Sequence, residues 1–398
     1  MNGAHACTLD FMTQHYVTGI DVGTYHVKVV ISTVPNDAKS VPQIIGTGYA
    51  ESRGLRNGYI INESDVVRSV RNAIAQAEKA SNVKVKRAYI SMGGIGLDEI
   101  HAHGEAITSR ADSIITQADI DKAVDASEEQ IKDKIPNRKI IHTIPLRFTV
   151  DGEKVHGRPH ELKGTKLEID VLFVTAFEQH LNDLISAIES IGIKVEDVMA
   201  SPLAGGHVMA TKAQKRAGCV LANIGAETVS IVIYEDGNPT SLKVFPIGSN
   251  DITNDIALGL KVPLDEAEKI KRGGMTSTPF SKKKLDEIIS ARLVDIFELI
   301  DAHLKKMKRD GLLPAGVILT GGGSGITTVQ DLARASLRLP SKIGTLDPGQ
   351  NGKVRDASWA VSYGLCVSGM TGSEEETGIN LVRHTGSAFL HWLKQFLP

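Results

Sequence analysis

Two segments of the chain carry the same arrangement of apolar and polar positions. Residues 19–31 (GIDVGTYHVKVVI) align without a gap to residues 221–233 (LANIGAETVSIVI). Each consists of an apolar strand, a turn that contains glycine and a second strand rich in β-branched residues, which is typical of a β-hairpin. Two matching hairpins in the two halves of the chain predict a duplicated fold with two similar lobes.

Between and after the hairpins, apolar residues recur at helical spacing. These amphipathic segments are residues 63–80, 177–191, 266–271, 284–309 and 327–337. Short apolar strands at residues 87–92 and 317–320 alternate with them, and this alternation predicts an α/β architecture with central sheets. Residues 85–165 mix strand-like segments with a helix at 117–132 and predict a compact inserted module.

The composition excludes several classes of protein. The 398 residues are 41% hydrophobic and 23% charged, as expected for a globular chain of two or three domains. The net charge of −2 offers no general attraction for nucleic acid. Three scattered cysteines (Cys7, Cys219 and Cys366) match no disulfide or metal pattern and indicate a reducing cytoplasm. A secretory signal and an apolar run of about 18 residues, long enough to span a bilayer, are both missing from the sequence.

The first hairpin carries a candidate phosphate site. Gly23 allows the turn backbone to approach an anion, and Thr24 adds a hydroxyl donor. Lys28 supplies a positive charge for a phosphate, and Asp21 can hold Mg²⁺ through water. An ordinary hairpin turn is the alternative for this motif taken alone.

The second hairpin places Asn223, Gly225 and Thr228 at the matching positions. Two such turns that face each other would clamp a polyphosphate from both sides, which gives the duplication a chemical purpose. The alternative is a plain turn that closes a hairpin.

A third motif lies between a buried strand and a helix and consists of Gly321, Gly322 and Gly323. Without side chains, this turn lets a purine and ribose lie against the backbone near a helix N-terminus. The chain has no Gly-x-x-x-x-Gly-Lys-Ser/Thr element, so this turn is not a P-loop. A flexible glycine turn is the alternative.

The last residues, 386–398, predict an amphipathic helix. At 100° per residue, six large apolar side chains share one face, namely Phe389, Leu390, Trp392, Leu393, Phe396 and Leu397. This pattern favours an interfacial membrane helix with its tryptophan at the headgroup level. A helix that packs back on the core is the alternative. Residues 371–385 are polar and predict a flexible linker.

The two hairpins with the late glycine-rich turn resemble the actin-like ATPase superfamily, and within it the FtsA family. Further stretches similar to FtsA lie at residues 138–145, 150–152, 163–168, 201–204, 251–260 and 267–271. The resemblance extends over residues 16–398. It implies an α/β, bilobed actin-like ATPase fold with an FtsA-type inserted subdomain in the first lobe.

This resemblance implies a division of the chain into eight segments. They are the first-lobe core (1–84 and 166–202), the inserted subdomain (85–165), the second-lobe core (203–245), the second-lobe outer subdomain (246–313), the second-lobe core with the return to the first lobe (314–370), the linker (371–385) and the membrane helix (386–398).

The resemblance also implies ATP and Mg²⁺ in the cleft between the lobes. The implied phosphate contacts are Asp21, Gly23, Thr24, Lys28, Asn223, Gly225 and Thr228, and Gly321, Gly322 and Gly323 fall on the adenosine motif. Glu268 and Lys271 fall where the superfamily contacts ribose and adenine.

The implied function is that of a cell-division protein that polymerises on the cytoplasmic membrane and tethers the FtsZ ring to it. The expected partners are the C-terminal peptide of FtsZ, other copies of the chain, membrane lipid and further division proteins. The expected location is the cytoplasmic face of the inner membrane at the division site, as a peripheral protein. The alternatives are a related assembly protein similar to PilM and a small-molecule kinase of the same superfamily.

The second phosphate motif departs from the family pattern. FtsA sequences usually have Asp-Ile-Gly-Gly-Gly-Thr there, whereas this chain has Asn223, Ala226 and Glu227. The lost carboxylate removes a negative charge near the cation, and Ala226 is expected to restrict a turn that needs positive φ. ATP binding with at most slow hydrolysis follows, and no residue is assigned as a catalytic base.

Overall fold

The structure, a computed structural model, describes residues 16–34, 41–276, 279–346 and 356–373. The predicted membrane helix, with Phe389, Trp392 and their apolar neighbours, lies outside these ranges, as does the predicted linker from residue 374 onwards. In the described part of the chain, each helix is too short or too polar to cross a bilayer.

The described strands and helices alternate along the chain as the periodicity predicts. The strands are β1 (Tyr16–Val22), β2 (His26–Thr33), β3 (Gln43–Glu51), β4 (Leu55–Arg56), β5 (Tyr59–Ile60), β6 (Arg87–Met92), β7 (Leu97–Ile107), β8 (Arg138–Val150), β9 (Glu153–Val155), β10 (Lys166–Phe177), β11 (Lys194–Ala200), β12 (Cys219–Ile224), β13 (Val229–Glu235), β14 (Asn238–Phe245), β15 (Val317–Thr320) and β16 (Ser341–Ile343). The α-helices are α1 (Glu63–Ser81), α2 (Gln117–Glu129), α3 (Glu178–Glu189), α4 (Ser201–Met209), α5 (Lys212–Ala217), α6 (Ser249–Leu260), α7 (Leu264–Lys271), α8 (Lys282–Lys306), α9 (Val329–Leu337) and α10 (Ala360–Ser373). Short 3₁₀ turns cover Lys132–Lys134, Gly322–Gly325 and Ala357–Trp359.

Two five-stranded sheets have the same strand order. The first is β3-β2-β1-β6-β11 and the second is β14-β13-β12-β15-β16. In each order as written, the first three strands form an antiparallel meander, and the fourth and fifth strands run parallel to the third. The duplicated fold predicted from the two hairpins is therefore confirmed, with β1–β2 and β12–β13 at equivalent places.

The helices follow the local signals in the sequence. The Asn62 side chain accepts a hydrogen bond from the Asp65 N–H and caps the start of α1, and Asn82 ends the helix in the left-handed region at φ 58°. The buried face of α1 carries Val66, Val70 and Ile74, which recur at the predicted helical spacing.

Close packing of α10 on its neighbours sets the position of the hairpins. A Cβ on Gly364 would collide with the carbonyl oxygen of Ala204 in α4, and one on Gly19 in β1 would collide with that of Ser362. Glycine at both positions lets α10 lie directly on α4 and β1. Since α4 also packs on β12 and β13, this layer joins the two lobes below the hairpin turns.

The inserted module has its own sheet, in the order β7-β10-β8-β9, and α2 packs on β7 and β10. The predicted bounds of 85–165 were wrong at both ends, because β6 pairs with β1 and β11 in the first-lobe sheet and β10 belongs to the inserted sheet. Its separate apolar core includes Ile120, Phe148 and Phe173. Asp119 fastens the start of α2, since its carboxylate accepts hydrogen bonds from the Thr116 and Ser109 N–H groups. Burial acts to raise the pKa of Asp119, but these hydrogen bonds outweigh it and lower the pKa to about 2.

A buried polar network joins the inserted module to the second lobe. Glu99 of β7 accepts hydrogen bonds from the Ser241 hydroxyl, at 2.8 Å, and from the Leu242 N–H of β14. The Nε2 atom of His303 on α8 lies 2.8 Å from the same Ser241 oxygen. Burial raises the pKa of Glu99, while burial and then Lys243 and Lys306 lower that of His303 to about 4.

We expect the His303→Gln variant to have a shallower loss of stability in acid than the wild type. The folded chain binds a proton at His303 only near pH 4, whereas the unfolded chain does so near 6.5, so stability present above pH 6.5 is lost as the pH falls towards 4. Between pH 7 and pH 5 this one group lowers the free energy of unfolding by about 1–2 kcal/mol. Urea unfolding curves at each pH measure this change.

The control is His156→Gln, because His156 is exposed in the inserted module. Glu99 titrates with the opposite sign, since its raised pKa makes the folded chain take up a proton first. The relevant quantity is therefore the difference between each variant and the wild type. Equal pH slopes for His303→Gln and wild type would disprove the assignment.

Candidate functional site

A cavity of about 780 Å³ lies between the two lobes, with both hairpin turns in its wall. Eleven of the twelve residues predicted for the nucleotide site line it. They are Asp21, Gly23, Thr24, Lys28, Asn223, Gly225, Thr228, Glu268, Lys271, Gly321 and Gly322. Gly323 lies beneath this surface, where a Cβ would collide with the Ile224 side chain. Its role is to let the turn pack on β12.

Glycine suits both hairpin turns because a carbonyl oxygen approaches the backbone closely in each. A Cβ on Gly23 would lie 3.0 Å from the carbonyl oxygen of His26, and one on Gly225 would lie 2.8 Å from that of Thr228. The described residues with positive φ do not include Gly23, Gly225 or Ala226. The expectation that Ala226 restricts a turn with positive φ was therefore wrong, because the turn closes in ordinary backbone conformations.

Asp21 and Lys28 are directly opposite each other in the β1–β2 ladder. The Asp21 carboxylate accepts a 2.7 Å hydrogen bond from the Ser91 hydroxyl, and the Lys28 ammonium donates one of 2.6 Å to the Ser358 carbonyl. Burial raises the pKa of Asp21 and lowers the pKa of Lys28. Both groups are thus poorly solvated, a state in which an opposite charge brought by a ligand interacts more strongly than in water.

On the second lobe, α7 presents a compact charged group to the cavity. The Lys271 ammonium lies 2.6 Å from the Glu268 carboxylate, which also accepts from the Thr253 hydroxyl at 2.6 Å. Burial alone would raise the pKa of Glu268, but hydrogen bonds from Lys271, Thr253 and Arg272 outweigh it and lower the pKa. Glu268 therefore stays ionised and can accept hydrogen bonds from sugar hydroxyls.

The glycine-rich turn after β15 is shaped for close backbone approach. Gly321 has φ 84°, and a Cβ there would collide with the Asn223 side-chain oxygen and the Ile224 carbonyl. A Cβ on Gly322 would meet nothing within 4 Å, so this backbone faces open space in the cavity. The turn leaves room for a ligand to lie against its backbone, and a volume of about 780 Å³ is within the range of small-molecule and cofactor sites.

Four aromatic rings that were not predicted from the sequence form one edge of the cavity. Tyr25, His26, Tyr49 and Trp359 follow one another in edge-to-face contacts with ring centroids 4.5–6.4 Å apart, and the Lys28 ammonium lies 5.7 Å from the Trp359 ring. They come from three distant parts of the chain, so no local pattern marks them as one group.

Comparison of the sequence with known proteins gives matches to one family. The profile described as "Cell division protein FtsA" matches residues 220–364, and the one described as "SHS2 domain inserted in FTSA" matches residues 99–175. The cell division protein FtsA of Neisseria meningitidis is 29% identical over 412 residues, covering 96% of this chain and 98% of its own. That of Pseudomonas aeruginosa is 27% identical and covers 89% of both chains.

The chain belongs to the FtsA family. It is thus an actin-like cell-division protein, with the family's inserted domain between β6 and α3. Among solved structures, it is similar to a PilM-PilN type IV pilus biogenesis complex, with a TM-score of 0.68 and 17% identity over 89% of this chain and 98% of that one. MreB5 of Spiroplasma citri bound to AMPPNP has a TM-score of 0.52 at 12% identity, covering 91% and 96%. These likenesses confirm the actin-like fold.

Asn223 is the clearest departure from the FtsA pattern inside the cavity, and we expect Asn223→Asp to raise the ATPase rate up to about tenfold. The carboxylate would return one negative charge to the region of the cation and improve its placement. Phosphate release under saturating ATP and Mg²⁺ measures the change. Asn223→Ala, which adds no charge, is the control. An unchanged rate in Asn223→Asp would show that this position does not limit turnover.

Proposed function

We propose that the chain binds ATP with Mg²⁺ in the cleft between its lobes. The observation that carries the proposal is the pair of equivalent hairpin turns that face one cavity, each with glycine where a carbonyl oxygen approaches closely. Turns of this kind offer backbone N–H groups to anions from two sides. Lys28 adds a positive charge in the same wall.

Different residues of the cavity would contact different parts of the nucleotide. Gly23 and Gly225 would let the phosphates approach the two turn backbones, and Thr24 and Thr228 would hold the phosphates through their hydroxyl groups. The Gly225 N–H itself donates to the Thr228 carbonyl and closes the turn. Asp21 would hold Mg²⁺ through water, and the ion would offset part of the phosphate charge. The Glu268–Lys271 pair would face ribose and adenine, with the Gly321–Gly322 backbone closing the adenosine side. Asn223 would lie beside the second phosphate turn, near the ion.

We further propose that the chain polymerises on the cytoplasmic membrane and tethers the FtsZ ring to it. Membership of the FtsA family and the amphipathic pattern of residues 386–398 support this. One short helix with few basic residues provides only reversible binding. A polymer that presents many such helices at once would bind stably, because each further contact becomes intramolecular. ATP would control assembly by closing the lobes.

Two other functions remain as alternatives within the same superfamily. The similarity to a PilM-PilN complex concerns the fold, and the two FtsA profiles favour cell division over pilus assembly. A small-molecule kinase would have the same cleft, but phosphate transfer to a small molecule does not require the inserted module. Transfer of phosphate from ATP to a small molecule would favour the kinase.

Recruitment of FtsZ to vesicles tests the proposal. The full chain, FtsZ and ATP are mixed with vesicles that contain anionic lipid, and the vesicles are sedimented. We expect FtsZ to sediment only when the chain is present, and FtsZ without its C-terminal peptide to stay in solution. FtsZ that stays in solution while the chain itself sediments would contradict the tethering role.

A further inference from the structure

Glu227 makes a contact across the cleft. Its carboxylate oxygen Oε2 accepts a 2.5 Å hydrogen bond from the backbone N–H of Asn57, which belongs to the other lobe. The FtsA pattern has glycine at this position of the second phosphate motif. A carboxylate here would repel phosphates if it pointed into the cavity, but it is turned towards the first lobe.

Both ends of this contact are firmly held. The carbonyls of Gly225 and Ala226, just before Glu227, accept hydrogen bonds of 2.9 and 2.8 Å from the N–H groups of Ser249 and Asn250 at the start of α6. Glu227 is therefore presented by a turn that is tied to the second lobe.

In the first lobe, Asn57 and Gly58 form the turn between β4 and β5, with φ 51° and 87°. The Asn57 carbonyl accepts a 3.2 Å hydrogen bond from the Ile95 N–H, which ties the turn to its own lobe. The Asn57 N–H points out of the turn, as this N–H does in two-residue hairpin loops, and Glu227 is its acceptor.

The contact lies in the wall of the nucleotide cavity. Ala226 and Thr228, on either side of Glu227, line that cavity, and Gly58 lines it from the other lobe. Glu227 and Asn57 themselves line a neighbouring polar cavity of about 470 Å³. The hydrogen bond thus forms part of the partition between the two spaces, beside the turn that would hold the phosphates.

A second contact spans the cleft beside α7. The Arg272 guanidinium donates a 2.7 Å hydrogen bond to the Tyr25 hydroxyl at the tip of the first hairpin and lies 5.2 Å from the centre of the tyrosine ring. Both side chains are exposed, so this contact contributes less than a buried one.

We propose that Glu227 is a positioning residue that holds the two lobes together across the phosphate end of the cleft and so slows nucleotide exchange. A charged hydrogen-bond acceptor on a fixed turn favours the closed arrangement of the lobes, and ATP can leave only when this contact opens. The effect on exchange rests on the proposed ATP binding, whereas the contact between the lobes does not.

The test variant is Glu227→Ala, and the control is Asp265→Ala. The control also removes one acidic side chain, but Asp265 lies on α7 with its side chain 77% exposed. The full chain is loaded with a fluorescent N-methylanthraniloyl ATP and mixed with excess ATP in a stopped-flow instrument. We expect the analogue to dissociate about tenfold faster from Glu227→Ala and at the wild-type rate from Asp265→Ala. Glu227→Gln should lie between, because its amide oxygen still accepts from the Asn57 N–H without the charge.

Hydrogen exchange of the nucleotide-free chain provides the second readout. We expect the amide of Asn57, followed in peptides that cover residues 54–60, to exchange faster in Glu227→Ala than in wild type or Asp265→Ala. Equal dissociation rates in wild type and Glu227→Ala would overturn the inference, and so would unchanged exchange at Asn57. A wild-type chain that fails to bind the ATP analogue would instead overturn the proposed function, while the exchange measurement still decides whether Glu227 holds the lobes together.

Discussion

Lys28→Met is expected to weaken ATP binding about 10- to 100-fold. The Lys28 ammonium is poorly solvated, donates to the Ser358 carbonyl and lies in the wall beside the first phosphate turn. A hydrogen bond to a charged group is worth about 1.5–3 kcal/mol, and each 1.4 kcal/mol is a factor of about ten in affinity. Isothermal titration of the full chain with ATP and Mg²⁺ measures the dissociation constant.

The control for Lys28→Met is Lys269→Met, the same substitution on the exposed side of α7. The Lys269 side chain is 65% exposed and lies 3.8 Å from Asp265. It should leave the dissociation constant within about twofold of wild type. Thermal unfolding of both variants separates a loss of affinity from a loss of the fold. If the Lys28→Met variant is folded and binds ATP with wild-type affinity, Lys28 does not contact the phosphates.

Replacing Phe389, Trp392 and Phe396 together with alanine is expected to abolish membrane binding. Full burial of each such side chain is worth roughly 1.5–3 kcal/mol, and burial at the lipid interface gives less. With three of the six apolar side chains removed, the affinity of the chain for the membrane should fall about 100-fold or more relative to wild type. Sedimentation with anionic vesicles in the presence of ATP measures the bound fraction.

The matched control changes the opposite face of the predicted helix, where His391, Lys394 and Gln395 are replaced with alanine. This variant keeps the apolar face and should still sediment, with only a small loss of affinity from the single lysine. If the Phe389/Trp392/Phe396 variant sediments as well as the wild type, the C-terminal residues are not the membrane anchor.

The arrangement of the lobes could be predicted from local patterns. The two hairpins, α1 and β15 lie where apolar periodicity places them, and the equivalence of the hairpins extends to whole sheets of the same strand order. Local patterns were sufficient here because each element buries one continuous apolar face, which the sequence displays directly. The predicted site residues also come together, since equivalent strand ends meet at the cleft.

The rest depends on contacts between distant residues, which spacing alone does not reveal. Glu227 stands out in the sequence as a departure from the family pattern, but its partner is a backbone N–H of the other lobe. In the same way, Glu99 and His303 meet at Ser241 only because the inserted sheet packs on β14. Gly323 resembles its two neighbours in sequence, yet packing against Ile224 places it under the cavity wall.

Electron microscopy of the full chain on lipid monolayers, with and without ATP, would show directly whether the nucleotide controls a polymer on the membrane. We expect filaments on monolayers that contain anionic lipid when ATP and Mg²⁺ are present. We expect none without nucleotide, and none with ATP for Lys28→Met. Identical filaments with and without ATP, or a bare monolayer in both, would contradict a nucleotide-controlled polymer on the membrane.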